Sequence, residues 1–230
     1  EILGERDNSR TGMTAVIPHP GNVFQQKVPA AVVVGNAFGK LVGSTQVEEL
    51  GTLETPIVLT NTLSSFAAAE AVVAYTLEQP GNENVRSVNP VVGECNDARL
   101  NDIRALRVRR DDVLKAIASA RPGKVEEGAI GAGMGMVCFG WKAGIGTSSR
   151  RLPTSLGEHT VGVLVLTNFG GILNVAGAPV GKELGQYFLK DAVAQDDSRT
   201  DADQEHGSCI VVVATDAPLD ARQLKRLGKR

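Results

Sequence analysis

The sequence contains only three cysteines in 230 residues, which limits the kinds of site it can build. Cys95, Cys138 and Cys209 stand far apart and form no CxxC pair, so neither a zinc site nor a disulfide framework is predicted. We expect all three thiols to pack as small buried apolar groups.

The sequence also lacks a long apolar run and an excess of basic charge. No stretch approaches the length of a membrane span, and the first residues show no signal-peptide pattern. The net charge is -2 at pH 7, whereas nucleic-acid-binding proteins usually carry a basic excess that neutralises phosphates. We therefore expect a protein that binds neither membranes nor nucleic acid. It is expected in the cytoplasm, or in the periplasm if a leader was removed.

Histidine is scarce as well, with three residues in the chain. Neither a Ser-His-Asp order nor an HExxH motif occurs, which excludes the usual triad peptidases and zinc metalloproteases. A Gly-rich run at residues 127–150 lacks both GxGxxG before a helix and a Walker-type GK[ST]. We interpret its glycines as points of close approach between packed sheets, not as a nucleotide site.

Short segments rich in β-branched residues, bounded by turn formers, predict β-strands. They begin at Met13, Ala30, Pro56, Met134, Thr160 and Cys209. Capping residues, Pro-Gly stops and apolar spacing predict helices that begin at Ser64 or Ser65, Arg110, Gly181 and Asp220. Most strands are apolar without alternation, so both faces of their sheets should be covered.

The order of these elements indicates the architecture. Strands follow one another without a helix in residues 13–36 and again in residues 134–168. This departure from strict alternation disfavours a doubly wound parallel sheet, which is the competing architecture. We predict an α+β fold, a four-layer αββα sandwich, in a single domain that spans residues 1–230.

One Gly-Ser pair, Gly207 and Ser208, separates a polar, acidic loop (residues 194–207) from an apolar strand. The Ser208 hydroxyl could attack the carbonyl of Gly207 and convert the amide into an ester, which water would cleave. The new α-amine of Ser208 would then serve as the base, because an unperturbed α-amine has a pKa of about 7.7–8.0, and no histidine would be needed. Spacing alone favours the other interpretation, a serine that merely ends a loop.

Four motifs in the chain resemble the self-processing L-aminopeptidase/D-esterase and β-peptidyl aminopeptidase family. They are "NPVVGECNDARLNDIRA", "GKVEEGAIGAGMGMVCFGWKAGIGTSSR", "HTVGVLVLTNFG" and "GSCIVVVATDAPLDARQLKRL". The resemblance implies an αββα sandwich like that of N-terminal-nucleophile hydrolases, with different strand connectivity. It also implies self-cleavage between Gly207 and Ser208, which divides the chain into an α-subunit portion (1–207) and the start of a β-subunit (208–230).

The resemblance further implies roles for individual residues. Ser208 would be the nucleophile, and the side-chain amide of Asn168 would stabilise the oxyanion. Glu94 would receive the free amine of the substrate, and a backbone N–H near Asn96 would be a second oxyanion donor. Judged by the sequence pattern alone, Asn168 is a turn residue before two glycines and Glu94 a salt-bridged surface residue.

Relatives begin several tens of residues earlier and continue beyond the last helix of this chain. There they supply a serine and a glutamate that support the nucleophile, so the chain is expected to be an internal piece of a longer protein.

The predicted function is a self-cleaving serine aminopeptidase or amidase that acts on peptides, amides or esters with a free N-terminal amine. No metal and no organic cofactor is implied, and the relatives imply a homotetramer of αβ units. One alternative is acyl transfer of the ornithine acetyltransferase type, although those enzymes carry threonine at the position of Ser208. The other is an unprocessed binding homologue with an intact Gly207–Ser208 bond.

Overall fold

Two β-sheets pack face to face, and helices cover the outer face of one of them. The structure is a computed structural model that describes residues 5–6, 9–187, 190 and 207–229. The strands are β1 (Glu5–Arg6), β2 (Ser9–Arg10), β3 (Thr14–Val16), β4 (Val28–Pro29), β5 (Leu41–Val42), β6 (Thr52–Leu53), β7 (Ile57–Asn61), β8 (Val91–Cys95), β9 (Val137–Cys138), β10 (Trp141–Lys142), β11 (Ile145–Arg151), β12 (Thr160–Asn168) and β13 (Ser208–Thr215). The α-helices are α1 (Ser44–Leu50), α2 (Ser65–Leu77), α3 (Arg110–Ala118), α4 (Val180–Glu183) and α5 (Ala221–Leu227).

The first sheet has the order β3-β7-β8-β5. Strands β7 and β8 are parallel, while β3 and β5 join the edges in antiparallel pairs. Because successive side chains of a strand point to opposite faces, Val58 packs with the helices and Leu59 with the second sheet. The helical side consists of buried residues of α2 and α3, among them Ala68, Val72, Val113 and Ile117.

The second sheet, β11-β12-β13, is antiparallel throughout. Its inner face carries Ile145 and Leu166, which pack against Leu59 of the first sheet. At Gly93 a Cβ would lie 3.1 Å from a side-chain carbon of Leu59 and 3.3 Å from one of Ile210. Glycine therefore allows the two sheets to approach closely at this point.

Three layers of the predicted sandwich lie within the described residues: helices, first sheet and second sheet. The α+β fold is thereby confirmed. The outer face of the second sheet exposes Val211 and Val213, and in the described part of the chain no helix packs over them. No helix of the described residues is long and apolar enough to cross a membrane.

The strand predicted to begin at Ala30 is wrong. The apolar run up to Val34 forms no strand, and Val34 is 59% exposed. Val28–Pro29, directly before the run, form β4 and pair with β6, and β5 occupies the position beside β8. The strand predicted from Met134 is reduced to β9, because the preceding residues Gly131–Gly133 form a 3₁₀ turn.

Sequence reasoning missed β8 and β11. Strand β8 contains a glycine and a glutamate, and β11 is largely polar, so neither has the continuous apolar pattern used to predict strands. Both strands lie within sheets where neighbouring strands supply their hydrogen bonds. Sheet pairing therefore outweighs the weak local preference of these two segments.

The predicted helices correspond to α2, α3 and α5, and α5 begins with the predicted capping box. The Asp220 side chain accepts the Gln223 N–H, and the Gln223 side chain accepts the Asp220 N–H. The helix predicted from Gly181 is confirmed only as α4, because residues 184–187 form a turn and irregular chain instead of continuing the helix. Most of its remainder and nearly all of the polar loop before Ser208 (residues 194–206) lie outside the described residues.

Candidate active site

Ser208 and Asn168 lie side by side in the second sheet. Ser208 is the first residue of β13 and is paired with Asn168, the last residue of β12. The Asn168 side-chain nitrogen donates to the Ser208 hydroxyl oxygen at 3.2 Å and to the Asn96 carbonyl at 2.8 Å. Three of the residues singled out in the sequence are thus brought together by one buried amide.

The orientation of this amide is set by the Gly-rich segment. The Val137 N–H donates to Asn168 Oδ1 at 3.2 Å, and a backbone donor must face the amide oxygen, so Nδ2 points toward Ser208. The turn before Val137 is held by Lys142, whose ammonium donates to the carbonyls of Gly133 and Met136 at 3.0 and 3.2 Å. Sequence reasoning missed Lys142, because an isolated lysine in a glycine-rich run gives no local signal.

Glu94 lies on β8 with its side chain only 8% exposed. Its Oε1 accepts the backbone N–H of Lys40 at 3.1 Å, and its Oε2 accepts the hydroxyl of Thr62. The Lys40 ammonium lies 3.8 Å from Oε1. Glu94 is therefore a buried carboxylate with an ion pair on one side, and the surface location suggested by the pattern alone is wrong.

The loop before β5 approaches Glu94 as closely as its glycine allows. At Gly39 a Cβ would lie 2.7 Å from Glu94 Oε1, inside van der Waals contact. Sequence reasoning missed Gly39, Lys40 and Thr62. Thr62 directly follows β7, which runs parallel to β8, so a recognised β8 would have indicated that Thr62 and Glu94 meet at one sheet edge.

Cys95 lies beneath the Ser208 hydroxyl. Its side chain is fully buried between the sheets and is hydrogen-bonded to the side chain of Ser208. Burial raises the pKa of the Cys95 thiol to about 12, so the group is a neutral thiol near pH 7. The expectation that the cysteines are buried holds for Cys95, whereas Cys138 is half-buried and Cys209 is exposed because it points to the outer face of β13.

The turn after β8 is fixed by a buried carboxyl group. Asn96 is exposed and uses its side-chain oxygen to accept the Ala98 N–H at 2.9 Å. Asp97 is only 1% exposed and accepts the Asn101 side-chain amide at 2.9 Å. Burial raises the pKa of Asp97, and its hydrogen bonds with Thr11 and Asn101 oppose that shift. Asp97 thus anchors the backbone whose carbonyl at Asn96 holds the Asn168 amide.

Gly207 is required for a steric reason. A Cβ at this position would lie 2.6 Å from the Cβ of Phe169, the residue that follows Asn168. Only glycine allows the chain to enter β13 beside Phe169 without displacing it.

The site offers a serine hydroxyl, an oriented amide donor and a buried carboxylate. These are the parts needed to attack a carbonyl, stabilise the oxygen anion that forms and hold a cation nearby. Among the described residues no group of three or more His, Cys, Asp and Glu side chains is arranged to hold a metal ion.

Two curated proteins have sequences clearly similar to this chain. β-Peptidyl aminopeptidase BapA of Sphingosinicella microcystinivorans is 42% identical over 231 aligned residues, which cover 96% of this chain and 56% of the relative. The enzyme of the same name from Sphingosinicella xenopeptidilytica is 36% identical over 226 residues, with the same coverage of 96% and 56%. The chain therefore spans little more than half the length of these relatives.

Several solved structures superpose closely on this chain. A protein from Pyrococcus horikoshii OT3 superposes with a TM-score of 0.83 at 47% identity, covering 96% of this chain and 59% of that one. A β-aminopeptidase of Burkholderia sp. gives 0.82 at 37% identity, with coverage of 98% and 60%. The L-aminopeptidase D-Ala-esterase/amidase of Ochrobactrum anthropi gives 0.81 at 34% identity, with coverage of 96% and 59%.

The Ochrobactrum enzyme is a prototype of the serine aminopeptidases and has a new variant of the N-terminal-nucleophile hydrolase fold, so the predicted fold type is confirmed. The profile of peptidase family S58 matches residues 2–230. With a match over nearly its whole length and relatives at 36% and 42% identity, the chain belongs to peptidase family S58.

Proposed function

We propose that the complete protein is a self-processing serine aminopeptidase with Ser208 as its N-terminal nucleophile. The observation that carries the proposal is the 3.2 Å contact between the Asn168 amide and the Ser208 hydroxyl oxygen. In a tetrahedral intermediate the attacking oxygen and the oxyanion are bonded to the same carbon. A donor beside the Ser208 hydroxyl is therefore also beside the developing anion.

The first reaction is cleavage of the chain itself. The Ser208 hydroxyl attacks the Gly207 carbonyl carbon, and the bond from that carbon to the Ser208 nitrogen breaks as the nitrogen takes up a proton. The resulting ester is hydrolysed by water, which leaves the Gly207 carboxylate and a free α-amine on Ser208. The cut divides the chain into an α-subunit portion (1–207) and a β-subunit that begins at residue 208.

The second reaction acts on substrates with a free N-terminal amine. The α-amine of Ser208 takes the hydroxyl proton, the oxygen attacks the carbonyl after the first residue, and the leaving amine or alcohol takes the proton. Asn168 and a backbone N–H near Asn96 hold the oxyanion, and Glu94 holds the substrate ammonium. Water then hydrolyses the acyl-enzyme.

The names of the relatives support peptides as substrates, and the name of the Ochrobactrum protein extends this to esters and amides. The proposal includes assembly into a homotetramer of αβ units in the cytoplasm, with the periplasm as the alternative compartment. Acyl transfer and a purely binding role are not favoured by any contact among the described residues. The serine at position 208 in place of threonine also argues against acyl transfer.

The test is the intact mass of the full-length protein with its natural ends, compared with its Ser208→Ala variant. We expect two fragments from the wild type, one beginning at Ser208, and a single chain from the variant. Release of an N-terminal residue from a peptide or amide is then assayed. A wild-type chain that stays uncut and inactive would contradict the proposal and favour the binding homologue.

A further inference from the structure

The structure places a second cation, Lys40, at the carboxylate proposed to receive the substrate amine. We propose that the Lys40 ammonium is the resident counter-ion of Glu94 and is displaced when a free-amine substrate binds. The inference rests on the proposed function, because it assumes that Glu94 receives the substrate ammonium.

Glu94 makes three contacts with Thr62 and Lys40, and two of them are hydrogen bonds that orient its carboxylate. Thr62 donates its hydroxyl to Oε2 from the residue that directly follows β7, and the Lys40 backbone N–H donates to Oε1. At Gly39 a Cβ would lie 2.7 Å from Oε1, so this backbone can approach the carboxylate only because the residue is glycine. The carboxylate is therefore oriented by a hydrogen bond on each of its two oxygens.

The third contact is of a different kind. The Lys40 ammonium lies 3.8 Å from Oε1, which is an ion-pair distance but beyond hydrogen-bond range. The Lys40 side chain is 42% exposed, whereas that of Glu94 is 8% exposed. The lysine can therefore move its charge into water, while the carboxylate stays where it is.

A substrate ammonium needs the same carboxylate. Two ammonium groups at one carboxylate repel each other, so the incoming amine must compete with Lys40 for Glu94. A partly exposed ion pair is weak, with a strength that corresponds to about a two- to five-fold change in an equilibrium constant. Lys40 therefore costs the substrate a few-fold in affinity, and it keeps the buried charge of Glu94 compensated when the site is empty.

The test compares KM and kcat for a free-amine peptide amide in full-length wild type, Lys40→Met and Lys40→Arg. Lys115→Met on the exposed side of α3 is the control for loss of one positive charge. We expect Lys40→Met to lower KM about two- to five-fold at unchanged kcat, because Lys40 contacts Glu94 and not Ser208 or Asn168. Lys40→Arg and Lys115→Met should leave KM close to the wild-type value.

A double mutant separates competition from other effects. If Lys40 acts through Glu94, Lys40→Met should no longer lower KM when it is combined with Glu94→Gln. A KM that stays constant or rises in Lys40→Met would overturn the inference and leave the aminopeptidase function standing. A decrease that persists in the Glu94→Gln background would also overturn it. Wild-type protein that turns over no free-amine substrate would overturn the proposed function and this inference together.

Discussion

The Asn168 side-chain nitrogen lies 3.2 Å from the Ser208 hydroxyl oxygen, because the two residues are paired at the shared end of β12 and β13. The same nitrogen donates to the Asn96 carbonyl, and the amide oxygen accepts the Val137 N–H. The amide is therefore held from three sides before any substrate binds. Such preorganisation makes a donor effective, because it needs no reorientation during the reaction.

Replacing Asn168 by alanine should lower kcat by about 10²–10³, the usual cost of removing one oxyanion donor. Self-cleavage should slow as well, since the same amide serves both reactions. Steady-state kinetics on processed protein and a time course of chain cleavage measure the two effects. Asn174→Ala, at an exposed residue whose side chain donates to the nearby Ile172 carbonyl, is the control. A change in kcat of less than a few-fold would remove Asn168 from the oxyanion site.

Replacing Glu94 by glutamine should raise KM for free-amine substrates by about 10- to 100-fold, as expected when a charged hydrogen-bond partner is lost. Glutamine keeps the size of the side chain, so folding should change little. The measurement is KM together with the urea midpoint of unfolding. Glu126→Gln, at an exposed residue, provides the control. Unchanged kinetics in Glu94→Gln would exclude Glu94 from the substrate site.

The Cys95 thiol should resist alkylation in the folded protein. With a pKa of about 12, only about 10⁻⁴ of the thiol is thiolate at pH 8, against about a quarter for a thiol of ordinary pKa 8.5 in the unfolded chain. Iodoacetamide should therefore modify Cys95 at least about 10³ times more slowly in the folded protein than in urea. Mass spectrometry of the peptide that contains Cys95 gives both rates. Similar rates in the two states would contradict a buried neutral thiol.

The stability of the protein should carry a pH dependence that comes from Asp97. Burial raises the pKa of Asp97 in the folded state, so the folded protein binds this proton more tightly than the unfolded chain does. The contribution of Asp97 to the free energy of unfolding should therefore fall as the pH rises from about 4 through the folded-state pKa, and stay constant above it.

Urea unfolding of the wild type and of Asp97→Asn between pH 4 and pH 7 measures this contribution, since the other carboxyl groups titrate in both proteins. The free energy of unfolding of the wild type relative to Asp97→Asn should decrease with rising pH. A difference that increases with pH would mean that the carboxylate form is the stabilised one.

Local sequence patterns predicted helices and strands correctly where the segment itself contains the residues that decide its structure. The capping pair Asp220 and Gln223 begins α5, and the Pro-Gly stops follow α2 and α3, because caps and breakers act within a few residues. The apolar runs of β7, β12 and β13 were found for a similar reason. Each is a continuous run of mainly apolar residues, so composition alone distinguishes it.

Local sequence patterns mispredicted strands whose formation depends on a neighbouring strand in the sheet. The run after Ala30 looks like a strand but forms none in the described part of the chain, whereas β8 contains Gly93 and Glu94 and still forms a strand beside β7. Strand formation depends on hydrogen bonds to another part of the chain, which a local pattern does not contain.

The sequence by itself determined the candidate residues, since the Gly207–Ser208 pair at the start of a strand and the motifs around Glu94 and Asn168 can be recognised without a structure. Only the tertiary structure decided how they meet. The bond from Asn168 to Asn96 joins residues 72 positions apart, and that from Lys40 to Glu94 spans 54. The orientation of the Asn168 amide and the counter-ion of Glu94 both depend on how the sheets pair and pack, which is a property of the whole chain.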